Sequence, residues 1–181
     1  IHYTMQNYEK ALPLFTRALE IRKESGALYG QVIALSNLGL TYSDLGDYDA
    51  GFVCDTQAAA IAERLGNPWM NGSTLSRVGW HYRQKNEYER AEECFQKTIE
   101  IGTEAHLDWV VMTGQSELAK LRILTEEYDE AIDLLNRSLL LAEEGEDHEG
   151  MIEAHRLLSE IYEKLGNAAQ GFHHYKRHVE L

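Results

Sequence analysis

Apolar residues in this chain recur at helical spacing. Leu28, Val32, Leu35 and Leu38 follow one another at steps of three and four, without the alternation of a strand. The apolar stretches are punctuated by short polar turns. In Leu45-Gly46-Asp47-Tyr48 a glycine ends one helix and an aspartate can cap the next; Lys164-Leu165-Gly166-Asn167 and Leu65-Gly66-Asn67-Pro68 repeat the device. Pro68, directly after Asn67, suits a first helical turn. The pattern predicts helices over 7–25, 27–45, 48–65, 68–85, 88–104, 107–125, 128–144, 148–165 and 168–181. Pro13 falls inside the first and predicts a kink or a lost first-turn bond.

The turns themselves repeat. Tyr8, Tyr48, Tyr88 and Tyr128 are spaced by 40, and Ala168 takes the next place. Three residues further on stand Ala11, Gly51, Ala91, Ala131 and Gly171, and upstream the same period yields Gly39, Gly79, Ala119 and Ser159. Such a register over the whole chain is an internal repeat of two helices per unit. The small residues predict close approach of paired helix backbones, with the tyrosine ring filling the gap beside them. One hairpin cannot bury its apolar face alone, so the units must stack. The expected division is a half repeat at 1–26 and repeats at 27–66, 67–106, 107–146 and 147–181 of a single domain. The half repeat lacks its first helix apart from a stub at Ile1–Gln6, which leaves the face of Tyr8, Leu12, Phe15 and Leu19 partly open, to be either capped by upstream sequence or used for self-association.

Leu38-Gly39, Tyr42, Leu45-Gly46-Asp47-Tyr48 and Gly51, together with Tyr88-Glu89-Arg90-Ala91 and Phe95, resemble the tetratricopeptide repeat. The period of 40 is longer than the usual repeat of about 34 and is similar to the long-helix variant of kinesin light chains, Rap-type regulators and bacterial signalling proteins. The resemblance implies an all-α, right-handed superhelical solenoid of antiparallel helix pairs. It also implies a non-catalytic scaffold whose concave groove binds a protein or peptide. The alternative it offers is the sensory or regulatory region of a larger signalling or transcription-regulatory protein, acting on an attached output domain. Arg122 and Ala168 depart from the tyrosines that their columns hold elsewhere.

Composition bounds the partners. With 44% hydrophobic and 26% charged residues the chain can build a core, and no apolar run approaches the roughly 20 residues of a membrane span. A formal charge of −13 disfavours nucleic acid and anionic membranes. Nothing at the start reads as a signal peptide, and two cysteines make no disulfide framework, so the expected setting is reducing and cytoplasmic. The absence of an initiator Met suggests a piece of something larger.

No phosphate loop, zinc-protease motif or nucleophile elbow is present, so no enzyme and no cofactor are expected. Cys54 and Cys94 share a column with Leu14 and Leu134 and read as packed free thiols. His174 and His178 stand four apart on one helical face, but nothing on that face completes a metal set, which leaves only Glu153 or His155 of the neighbouring helix, and His178 belongs to an inward column.

The groove candidates are Asn37, Leu40, Trp69, Arg77, Trp80, Arg83, Trp109, Lys120 and Arg156. Tyr29, Trp69 and Trp109 are 40 apart; they either stiffen the stack or head a groove stripe that continues, in the second repeat, through Ser73 and Ser76 to Trp80. Trp80 beside Arg77 and Arg83 reads as an anchor for a partner. Arg77, Arg83, Lys120 and Arg156 suit an acidic or aromatic segment, or else neutralise carboxylates of flanking repeats. The chaperone-type carboxylate clamp is not reproduced, because Ser36 and Leu40 stand where its first Lys and Asn would be.

Overall fold

The computed structural model describes residues 5–181, so most of the stub expected at Ile1–Gln6 lies outside the described residues. Among them run nine α-helices: α1 (Met5–Glu24), α2 (Leu28–Asp44), α3 (Tyr48–Leu65), α4 (Pro68–Gln84), α5 (Tyr88–Glu104), α6 (Asp108–Leu124), α7 (Tyr128–Glu144), α8 (His148–Lys164) and α9 (Ala168–Glu180). The predicted ends agree to within two residues. Pro13 sits in mid-helix, and α1 continues past it to Glu24.

One turn geometry separates all the helices. Gly26, Gly46, Gly66 and Gly166 have φ between +62° and +83°, and Asn86, His106, Glu126 and Glu146 occupy the same register at +53° to +64°. After α2 the Asp47 amide donates to the Tyr42 carbonyl (2.9 Å) and the Gly46 amide to that of Ser43 (3.0 Å), which closes a Schellman motif. Asp47, Asn67, Asp147 and Asn167 then cap α3, α4, α8 and α9 through amides three residues on.

Each helix packs antiparallel on its chain neighbours, and α4 also touches α6, as α6 does α8. The first helices of successive pairs therefore form an inner layer, while α3, α5 and α7 lie mainly on their neighbours outside it. The larger apolar core joins α5 to α8 through Phe95, Leu118, Leu121, Leu135, Leu158 and Ile161. A smaller one joins Val32, Leu35, Ala58, Ala62 and Met70 of α2, α3 and α4.

The small columns act differently from expectation at two places. A Cβ on Gly79 would lie 2.6 Å from Cε1 of Phe95, and one on Gly39 would run into the Asp55 carboxylate. The room is made for side chains of the paired helix, not for its backbone. At Gly51 the backbone approach does occur, with the Gly39 carbonyl oxygen 3.0 Å from the Cβ site. Tyr88 and Tyr128 pack on the larger core as expected, whereas Tyr48 is exposed and leans on Trp80.

The left-handed turns yield a stability prediction. Glu126 is exposed at φ +64°, a conformation that costs an L-residue about 1–2 kcal/mol. Glu126→Gly should raise stability by about 0.5–1 kcal/mol after the extra chain entropy of glycine is offset. A urea midpoint that stays put or falls would show that the turn stores no strain.

Candidate functional site

The exposed edge of the inner layer carries the predicted stripe. Tyr29 (55% exposed), Trp69 (48%) and Trp109 (48%) stand at the starts of α2, α4 and α6. The Trp69 and Trp109 rings stack on each other with centroids 5.9 Å apart and planes at 30°. Below them Val32, Ile33, Ser36, Asn37, Met70 and Arg77 line a depression of about 270 Å³. Leu40 is exposed, Asn37 and Trp80 are half-buried, and Ser76 turns inward and is buried.

The predicted cations lie along this face, each engaged within the chain. Arg83 is buried; it pairs with Glu117 at 2.8 Å and lies over the Phe95 ring. Lys120 bridges Glu117 (2.9 Å) and Glu153 (3.2 Å). Arg156 clamps Glu153 with two hydrogen bonds and reaches Glu160 at 3.7 Å. Those bonds, set against the cost of partial burial, hold the Glu153 carboxyl below the usual carboxylate range. The result is an ion-pair ladder running from α4 across α6 to α8. The acidic ligand expected from these cations therefore finds no unpaired guanidinium or ammonium on this part of the groove among the described residues.

Arg77 leads to a group that sequence reasoning missed. Asp55 on α3 is 1% exposed, and Nη2 of Arg77 lies 2.9 Å from its Oδ1 and 3.1 Å from its Oδ2, while also donating to the Ser36 carbonyl. Nε2 of the equally buried His81 donates to Oδ2 at 3.0 Å. Three helices thus contribute to one buried network. Asp55 Oδ1 has no aligned hydrogen-bond donor and His81 Nδ1 has no partner. The signal was available in the columns: Asp55 stands where Phe15, Phe95 and Leu135 stand, and His81 where Leu121 and Ile161 do. Leu40, Ser43, Asp44, Tyr48 and Trp80 complete a cavity of about 460 Å³ above the network.

The late histidines also form a packed group. Nδ1 atoms of His155 and His174 lie 2.9 Å apart, so one must be protonated and donate to the other. Tyr162 stacks on His174, and half-buried His178 donates to the Ile152 carbonyl. Among the described residues no group of three His, Cys, Asp or Glu side chains is placed to hold a metal ion. Cys54 and Cys94 are free and half-buried, and burial pushes the Cys94 thiol up to about 11. No helix of the described residues is long and apolar enough to cross a membrane.

The family model of the tetratricopeptide repeat matches residues 1–50, 30–104 and 110–181. The chain belongs to the tetratricopeptide repeat (TPR) family. TPR units generally form non-catalytic scaffolds for contacts with proteins or peptides. No curated protein matches the chain in sequence. BtubC (BKLC) from P. vanneervenii superposes with a TM-score of 0.80 at 18% identity, over 96% of this chain and 72% of that one. The TPR sensor-bearing STAND protein PH0952 from Pyrococcus horikoshii gives 0.75 at 18%, covering 96% of this chain and 27% of its own. A Rap protein complexed with competence and sporulation factor gives 0.72 at 16%, covering 97% of this chain and 59% of its own. Identities this low establish a shared TPR solenoid and nothing finer.

Two stability predictions come from this chemistry. Asp55→Ala leaves Arg77 and His81 without their anion and should cost about 3–5 kcal/mol. Asp55→Leu with His81→Leu, which installs the residues of the Leu135 and Leu121 columns, should recover most of that loss, since Arg77 is 30% exposed and can turn outward. Urea melts of the variants decide it, and an Asp55→Ala protein as stable as the parent would contradict the network's role. The histidine pair predicts loss of stability in acid. Burial first, then the neighbouring His155 and His173, hold His174 down to about 4, below the roughly 6.5 of an unfolded histidine. Between those values the unfolded chain binds more protons, so stability is full above about pH 6.5 and declines toward 4. His174→Leu should flatten that part of the urea-midpoint profile; an unaltered profile would exclude the pair as its source.

Proposed function

We propose that the inner face of α2, α4, α6 and α8 binds a peptide or a docked helix of a partner through large apolar and aromatic side chains. The observation that carries this reading is the stacked pair Trp69–Trp109, half-exposed at the rim of an apolar depression. A tryptophan pair left in water offers a partner large rigid area at low entropic cost, which is how binding hot spots are built. Tyr29 extends the aromatic row on one side, and Asn37 offers an amide beside it for the backbone of the bound segment. The Rap complex, a TPR-type solenoid holding competence and sporulation factor, supports a peptide as the kind of ligand.

A second reading, that the chain forms the sensory region of a larger regulator, draws support from the likeness to the repeat sensor of the STAND protein. It uses the same groove and adds an output domain to it.

The test begins with peptides selected on the immobilised chain from a random display library, then measured by calorimetry. Peptides rich in aromatic and large aliphatic residues are expected. Trp69→Ala with Trp109→Ala should weaken them at least about tenfold, as loss of a hot spot does. Selected peptides that bind the double variant with unchanged affinity would place the binding surface elsewhere.

A further inference from the structure

The cavity between α2, α3 and α4 holds chemistry that an apolar groove does not need. Tyr48 and Trp80 form an aromatic corner, their ring centroids 5.9 Å apart and their planes at 51°. Leu40 adds an exposed aliphatic wall. At the mouth Asp44 is exposed and has no ion-pair partner among the described residues. At the floor lies the Asp55 carboxylate, whose Oδ1 lacks an aligned donor, beside His81, whose Nδ1 lacks any partner; both residues are 1% exposed. The Arg77 guanidinium neutralises one of the two carboxylates. Two anions and one cation leave the cavity with a net negative charge between π faces.

We propose that this cavity seats a basic side chain, the guanidinium of an arginine, from the segment bound in the groove. The proposal rests on the groove reading above and names one residue of its ligand. A guanidinium is planar and weakly hydrated, so it can lie against the indole and phenol faces while Asp44 accepts two of its N–H groups. A lysine ammonium would gain the charge attraction without the stacking, and its tighter hydration shell would have to be stripped. A carboxylate would meet Asp44 and Asp55, and the Nη2 donor of Arg77 is already committed to Asp55 and the Ser36 carbonyl. The volume of about 460 Å³ accommodates an arginine side chain with room for water.

The probe is N-acetyl-L-arginine methylamide, titrated into the full chain while the Trp80 indole N–H resonance is followed by NMR and assigned through Trp80→Phe. The lysine, citrulline and glutamate amides are run beside it. A saturable shift is expected for arginine, a weaker one for lysine, and none for citrulline or glutamate. Asp44→Asn removes an exposed charge with no hydrogen-bonded role in the fold and should weaken arginine binding about tenfold, while Trp109→Ala should leave it unchanged. The absence of a saturable shift, an equal response to citrulline, or an unchanged affinity in Asp44→Asn would overturn the proposal. Library peptides separate the two readings. Peptides that respond to Trp69 and Trp109 but carry no basic residue sensitive to Asp44→Asn would remove the arginine and leave the groove. Peptides indifferent to the tryptophans would remove the groove, while the amide titration would still decide the cavity.

Discussion

One contact, repeated from unit to unit, carries this solenoid. In two pairs the second helix drives a side chain into a glycine of the first, Phe95 against Gly79 and Asp55 against Gly39, and in a third Leu135 lies in the same core as Ala119. The space exists only because the facing residue has little or no side chain. Helix pairs that close this tightly leave their inner edges near enough for α4 to touch α6 and α6 to touch α8. The inner layer, and with it the groove, follows from that closure.

The same constraint explains why one socket became a polar centre. A carboxylate at position 55 is removed from water by the packing that buries Phe95, and an isolated buried anion is costly. It is tolerated because α4, the first helix of the next pair, brings Arg77 and His81 to it. Arg77 reaches from α4 to α3 and lines both the groove depression and the cavity beside Trp80. Polar chemistry at the groove floor is here a consequence of one substitution in a packing column.

Most of the architecture was legible from the columns of small residues and tyrosines, because a period of 40 reports packing directly. The left-handed turns were legible where glycine marks them, at 46, 66 and 166, and hidden at 86, 106, 126 and 146, where residues with Cβ adopt the same φ because the flanking helices impose it. The aromatic row was legible as Tyr29, Trp69 and Trp109, although the ring stack of the two tryptophans was not, since it depends on helix separation. Asp55 was missed for an instructive reason. Composition and motif searches look for chemistry where residues cluster in sequence, whereas Asp55 of α3 meets Arg77 and His81 of α4 only across two helices. The available signal was a charge in a column otherwise apolar or aromatic, and it becomes visible only when the repeats are aligned and read down the column.

The ladder from Arg83 through Glu117, Lys120 and Glu153 to Arg156 and Glu160 gives the groove a character opposite to that of its amino-acid content. Counted singly, these cations invite acids. Paired, they form a wall whose charges are already satisfied, and a ligand carboxylate gains only by displacing a glutamate held at 2.8–3.2 Å. Such an exchange returns little free energy, because one ion pair replaces another and the displaced carboxylate must be resolvated. In the proposed binding mode discrimination then passes to the exposed parts of the Trp69–Trp109 stack and of the Tyr48–Trp80 corner, and to Asp44, which has no ion-pair partner among the described residues. In that proposed mode the groove selects by what its own chain leaves open, and that is aromatic area beside a carboxylate.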